Sequence, residues 1–188
     1  MSTKQELAAD KVAQQAKEYF HMPTDNTKMG KYYDEMTPDL YDAMMNSINY
    51  TEPDEIVKNV IALELDPANV KVLDVGAGTG LIGTKLIDRG FKHIDAVDAS
   101  EGLLASLKEK KIYNKVTFAF LGYGNFPEPE NVGQYDLVTA AGVFMKGHMP
   151  ASALSEIVDY IKTGGFFVTA MRKAYYDPEE PMGYYNGF

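Results

Sequence analysis

From residue 70 onward the apolar positions alternate between two rhythms. Val70, Val72, Leu73 and Val75 form the near-continuous run expected of a strand buried on both faces. Leu81, Ile82, Leu86 and Ile87 then recur at helical spacing, preceded by glycines at 76, 78 and 80 and closed by Gly90. Thr79 stands where that helix would take its N-cap. The same succession follows downstream. A strand at 94–97 ends in Asp98, and Ser100 caps a helix carrying Leu103, Leu104 and Leu107. A strand at 116–121 leads into a Pro/Gly-rich loop at 122–134, and a strand at 135–141 follows. Leu154, Ile157, Val158 and Ile161 mark a helix closed by Gly164 and Gly165, ahead of a strand at 166–171.

Before residue 70 the pattern is helical throughout. Residues 3–20 read as a helix capped near Ser2 or Thr3, with Ala9, Val12, Ala13, Ala16 and Phe20 on one side. Residues 21–30 are rich in breakers and read as a loop. Thr37-Pro38-Asp39 opens a second helix, since proline at the first turn gives up an amide that has no partner anyway. Thr51-Glu52-Pro53-Asp54-Glu55 repeats the signal before Ile56, Val57, Val60 and Ile61, and Asp66-Pro67 breaks the chain.

Alternating strands and helices predict an α/β fold with a doubly wound, mainly parallel sheet. Residues 1–65 would be an N-terminal helical cap, 66–172 the α/β core and 173–188 an aromatic-rich tail with Tyr175, Tyr176, Tyr184, Tyr185 and Phe188. The glycines at 76, 78 and 80 let the chain turn sharply and bring a ligand close to the main chain. Asp98, 18 residues beyond Gly80, can accept both hydroxyl protons of a ribose lying across the carboxyl edge of the sheet. The two features together point to an adenosine-containing cofactor; the alternative for Asp98 is a charge beside the Ser100 cap.

Composition narrows the picture. At 188 residues the chain suits one domain. The net charge is −9, and the densest basic patch, Lys108, Lys110 and Lys111, fits a solvated helix end, so nucleic acid is not the expected partner. No apolar run approaches membrane-spanning length and no signal-peptide core opens the chain, so neither a membrane nor export is expected, and the location implied is cytoplasmic. With no cysteine, disulfides and thiolate chemistry are excluded, and no His/Asp/Glu group has convincing metal spacing.

Residues 72–80 (Val-Leu-Asp-Val-Gly-Ala-Gly-Thr-Gly), then Asp95-Ala96-Val97-Asp98-Ala99-Ser100, Tyr135-Asp136-Leu137-Val138 and Gly164-Gly165 resemble class I S-adenosylmethionine-dependent methyltransferases. The resemblance covers about residues 30–172. Gly80-Leu81-Ile82-Gly83, Phe126-Pro127-Glu128-Pro129 and residues 142–150 are similar to methyltransferase-like proteins of the Williams-Beuren critical-region type. The resemblance implies S-adenosyl-L-methionine as cofactor and S-adenosyl-L-homocysteine as product. It implies that Gly76 and Gly78, with Ala77 and Gly80 in the same turn, face the methionine part and that Asp74 orients its ammonium group. Asp98 would hold the ribose and Ala99 pack on the adenine. Gly122-Tyr123 stands where many relatives have Gly-Asp, so adenine would be read by backbone, ring stacking or Asn125. Ala140 and its neighbours to Gly142 would flank the sulfonium, and Tyr33 would reach the cofactor carboxylate.

Two rivals stand beside the expected small-molecule methyltransferase. Gly78, Gly80 and Gly83 formally satisfy the nicotinamide fingerprint, but there the first glycine directly follows the strand, and here that glycine is Gly76. The resembling fold has about seven strands in its usual form, so the chain reads as truncated after the fifth. It would then be a cofactor-binding protein without full catalytic competence, with an exposed sheet edge able to pair in a homodimer. His148, just past the fourth strand, is the one histidine placed to act as a base; its alternative is a satisfied packing residue. Tyr32 and Tyr33 could form a lid, and Met29, Met36, Met44 and Met45 a pocket or simply core. Where base- and glutamine-directed relatives carry Asn/Asp-Pro-Pro-aromatic after the fourth strand, Ala140-Ala141-Gly142-Val143 stands here, which points away from those acceptors.

Overall fold

A computed structural model describes residues 3–18, 26–124, 129–145 and 147–176. Four helices open the chain: α1 (Thr3–Glu18), α2 (Asn26–Asp34), α3 (Pro38–Ser47) and α4 (Glu52–Ala62). There follow β1 (Lys71–Val75), α5 (Leu81–Ile87), β2 (His93–Asp98), α6 (Glu101–Lys110), β3 (Lys115–Phe118), β4 (Tyr135–Ala141), α7 (Ala153–Tyr160) and β5 (Ile161–Ala170). The strands lie in the order β3-β2-β1-β4-β5, and every pairing is parallel. The order reverses at β1, so the carboxyl ends of β1 and β4 diverge and open a crevice there.

The strand period of two sorts the core into layers. Val72, Ile94 and Leu137 share one face and pack under α4 and α5 with Ile56, Val57, Val60, Ile82 and Leu86. Ala96 continues that face beneath Leu104 and Leu107 of α6. Leu73, Val75, Val97, Val138 and Ala140 point the other way and meet Ala153, Ile157 and Tyr160 of α7. Helix α4, grouped by its sequence with the cap, therefore packs on the sheet, while α1–α3 pack around Met36, Met44 and Met45.

Several local expectations are corrected. Residues 26–30 are the first turn and a half of α2 rather than loop. Thr79 is not a helix cap: Gly80 takes that place at φ 86°, and the Thr79 hydroxyl donates to Asp42 of α3 at 2.6 Å. Thr51 gives no side-chain cap to α4, whereas Thr37 and Ser100 do cap α3 and α6. Helix α7 ends at Tyr160, and Ile161 already pairs with Tyr135, leaving Gly164 and Gly165 in a bulge before Leu137 meets Phe166. Val158, assigned to the apolar stripe, is exposed. Tyr175 packs into the core clusters; Phe20, Asn125, Tyr184, Tyr185 and Phe188 lie outside the described residues. Among the described residues no helix is long and apolar enough to cross a membrane, and no group of His, Asp and Glu side chains is arranged to hold a metal.

Candidate functional site

The turn after β1 is built on its neighbour strand. The amides of Gly76 and Ala77 both donate to the Val97 carbonyl, at 2.8 and 3.2 Å, and the Gly78 amide donates to the Asp98 carboxylate at 2.8 Å. Gly76 sits at φ 65°, and a Cβ there would strike the Val143 side chain. At Gly78 a Cβ would make only ordinary contacts, with the Tyr41 hydroxyl nearest at 3.8 Å. Asp98 also accepts from the Ser100 amide at 2.9 Å. Burial raises the pKa of its carboxyl, the amides of Gly78, Ser100 and Ala99 oppose that rise, and the charge of Asp34 adds to it.

These groups form the floor of a cavity of about 780 Å³, counting its open mouth, at the carboxyl edge of the sheet. One wall is α2, through Met29, Gly30 and Tyr33, with Tyr41 of α3 behind it. Phe120, Leu121 and Tyr123 beyond β3 form a second wall, and Gly142, Val143, His148 and Met149 beyond β4 a third. Helix α2 is pinned across the opening by Asp34, which accepts from the Ser100 hydroxyl at 2.7 Å and the Gly102 amide at 3.1 Å. Both glycines at that junction allow close packing: a Cβ on Gly102 would lie 3.3 Å from the Asp34 Cα, and one on Gly30 3.3 Å from the Ala99 carbonyl oxygen and 3.5 Å from Phe120. The Tyr33 hydroxyl and His148 Nε2 meet at 2.8 Å.

Of the residues singled out from the sequence, Met29, Tyr33, Gly76, Gly78, Asp98, Ala99, Tyr123, Ala141, Gly142 and His148 line this one cavity. Five others do not. Asp74 shares the face of Val72, under α5, where its carboxylate accepts from Tyr113 at 2.6 Å and Thr139 at 3.0 Å, so it does not project into the crevice. Ala77 packs with Ala96, Leu104 and Leu107, and Gly80 against Leu107, Ile112 and Tyr113. Gly122 is drawn to α7, its amide donating to Glu156 at 2.7 Å and its Cα against Pro150. Ala140 is fully buried in the sheet, one residue too deep, and the lining begins at Ala141. Phe120 and Leu121 were missed, although residues just past a parallel strand are where such a crevice draws its walls. Met29, read as pocket or core, lines the cavity; Gly30 was hidden by the loop reading, and Tyr41 carries no local signal.

Residues 72–165 match the family described as a methyltransferase domain. The chain belongs to that family. It is similar to human methyltransferase-like protein 27, with 32% identity over 142 residues that cover 75% of this chain and 56% of the relative. It is also similar to a ubiquinone biosynthesis O-methyltransferase of Marinobacter nauticus, at 30% identity, covering 61% of this chain and 50% of that one. The chain spans about half the length of the curated relatives it matches. Among solved structures, an S-adenosyl-L-methionine-dependent methyltransferase of Methanococcus maripaludis superposes with a TM-score of 0.55 at 18% identity, over 79% of this chain and 64% of that one, which is a likeness of fold. The stretch matching the methyltransferase domain holds the glycine turn, Asp98 and His148; the wall made by α2 and Tyr41 lies before it.

Proposed function

We propose that the chain is an S-adenosyl-L-methionine-dependent methyltransferase acting on a small acceptor. The observation that carries the reading is the pairing of the Gly78 amide with the Asp98 carboxylate on the cavity floor. The residues present fit the cofactor. Asp98 keeps lone pairs beyond those used by Gly78 and Ser100, which suits a ribose diol. The space where Gly78 lacks a Cβ admits a ligand against the main chain. Val97, Ala99, Leu103, Phe120 and Leu121 offer the apolar slot that an adenine ring takes.

When bound, the cofactor supplies an activated methyl group on a sulfonium. The protein's task is to hold an acceptor in line with it and to exclude water; positioning of this kind supplies much of the acceleration in a displacement with a good leaving group. Gly142, Val143 and Met149 border the space on the acceptor side, and α2, tied by Asp34, closes it. A small acceptor is favoured by this enclosure. Among the described residues the lining carries no Lys or Arg, and the chain's net charge of −9 opposes polyanions. An oxygen acceptor accords with the name of the Marinobacter relative.

Isothermal calorimetry tests the reading. S-adenosyl-L-homocysteine gives heat and NAD gives none. Asp98→Ala weakens the first about tenfold to a hundredfold, the value of a hydrogen bond to a charged group. Heat from NAD alone, or from neither ligand, overturns the assignment.

A further inference from the structure

Tyr33 and His148 stand 115 positions apart and come from opposite walls of the cavity, yet the phenol oxygen and Nε2 lie 2.8 Å apart. Their rings meet edge to face, with 5.6 Å between centroids. Tyr33 is braced from behind by edge contacts with Tyr32 and Tyr41 at 5.4 and 5.9 Å. Tyr32 is itself anchored by donating to Gln15 at 2.9 Å. On the other wall the His148 amide donates to the Met145 carbonyl at 3.0 Å, and Gly142 packs beneath the Tyr50 ring. The pair is thus held from both sides with both side chains facing the cavity, and the ribose role of Asp98 does not draw on the contact between them.

We propose that Tyr33 and His148 are the proton-accepting pair for an uncharged phenolic acceptor. The proposal rests on the methyltransferase reading above. Tyr33 takes the acceptor's hydroxyl proton as its own passes to Nε2 of His148, which requires the imidazole tautomer protonated on Nδ1. The acceptor oxygen forms the bond to the methyl carbon and the carbon–sulfur bond breaks with its pair going to sulfur. One positive charge thereby leaves the sulfonium and appears on the imidazolium. A phenol suits this relay because its pKa, about 10, matches that of tyrosine, so the first transfer is near neutral, and an imidazole of about 6.5 can hold the proton near physiological pH. An anionic acceptor would find no Lys or Arg among the described lining residues; the other titratable groups facing the cavity are Tyr41 from α3, Asp98 at the end of β2 and Tyr123 beyond β3.

The test compares wild type, Tyr33→Phe and His148→Gln. Calorimetry with S-adenosyl-L-homocysteine comes first: His148→Gln binds within about threefold of wild type, and Tyr33→Phe, whose ring also borders the cofactor space, within about tenfold. No heat from the wild type overturns the methyltransferase reading itself, whereas heat from all three leaves the pair to be judged separately. Long-range proton–nitrogen spectra of the three histidines then follow the product-loaded proteins across about pH 5 to 9. His148 shows the Nδ1–H tautomer in the wild type, and in Tyr33→Phe its midpoint moves by about half a unit or more while His21 and His93 stay. An unmoved His148 midpoint overturns the pair. With S-adenosyl-L-methionine, catechol and p-cresol become methyl ethers about tenfold faster than 4-hydroxybenzoate, and both variants lower kcat about tenfold or more, with the cofactor KM little changed in His148→Gln. Equal kcat in Tyr33→Phe, which keeps the ring and its packing, overturns the relay. Methylation of none of the three phenols, or preference for the anion, overturns the acceptor class.

Discussion

The Tyr113 hydroxyl reaches the Asp74 carboxylate at 2.6 Å through the notch left by Gly83, where a Cβ would overlap the tyrosine ring. Asp74 is fully buried beneath the glycine turn, and its other oxygen accepts from Thr139 at 3.0 Å. The acid thus clamps β1, β4 and the segment after α6 together directly under the glycine turn. In an exposed helix Gly→Ala is worth up to about 1 kcal/mol of added stability. Here Gly83→Ala lowers stability by about 1–3 kcal/mol, because the ring must move and the bond to Asp74 lengthens. Urea unfolding of Gly83→Ala and Tyr113→Phe measures both effects; a stabilised Gly83→Ala removes the notch from the argument.

Burial pushes the Asp74 carboxyl from 3.8 up to about 6, against the hydrogen bonds from Tyr113 and Thr139, with the charge of Asp98 adding to the rise. The folded state therefore keeps a proton that the unfolded chain has released. The resulting stability is full below about pH 4 and is lost as pH rises through about 6, some 2–3 kcal/mol in all. Burial raises the Asp98 carboxyl in the same direction, so the wild-type curve alone does not separate them. The difference between wild type and Asp74→Asn does: the variant has the flatter profile between about pH 4 and 7, read from chemical-denaturation midpoints across that range. Parallel profiles would assign the dependence elsewhere.

Asp34 acts as a latch. Its carboxylate accepts from the Ser100 hydroxyl and the Gly102 amide at the start of α6, where the helix dipole also favours a negative charge. Asp34→Ala removes both bonds, at a local cost of about 1 kcal/mol. Amides of α2 then exchange about fivefold to tenfold faster, while those of β1 and β4 are unchanged. Affinity for S-adenosyl-L-homocysteine falls modestly as Met29 and Tyr33 are less firmly placed. Uniform acceleration across the sheet would mean that Asp34 supports the whole fold rather than the wall.

Strands β1, β2 and β4 are written in local periodicity, so the fold class and the floor of the site could be read directly from the chain, while the strand order with its reversal at β1 comes from the structure. The walls could not, because they depend on contacts between distant segments. Gly30 looks like a breaker in sequence and is instead the place where α2 comes closest to Ala99 and Phe120. Thr79 has a cap's side chain, but its hydroxyl is spent on Asp42, 37 residues upstream. The apolar stripe of α7 runs on to Ile161 by helical spacing, yet pairing with Tyr135 claims that residue for β5. The side to which Asp74 turns is also contained in the chain: residues 72 and 74 share one face and 73 and 75 the other, so an acid between Leu73 and Val75 turns toward the helices.

Gly76 and Gly124 separate the steric demands of the site from those of backbone conformation. Both adopt positive φ, 65° and 71°, so alanine at either costs about 1–2 kcal/mol of conformational strain. At Gly124 a Cβ meets nothing within 4 Å. At Gly76 it would run into Val143, which lines the cavity on the far side of the turn, so Val143 or the turn itself must move. Gly124→Ala therefore loses only the strain energy and keeps ligand affinity. Gly76→Ala loses about 2–4 kcal/mol, and its affinity for S-adenosyl-L-homocysteine falls by more than its stability loss explains, because the Gly78 amide no longer sits on Asp98. Thermal unfolding and calorimetry on the two variants give the comparison. Equal losses at both positions would show that the turn tolerates a side chain and that backbone conformation alone selects glycine at 76.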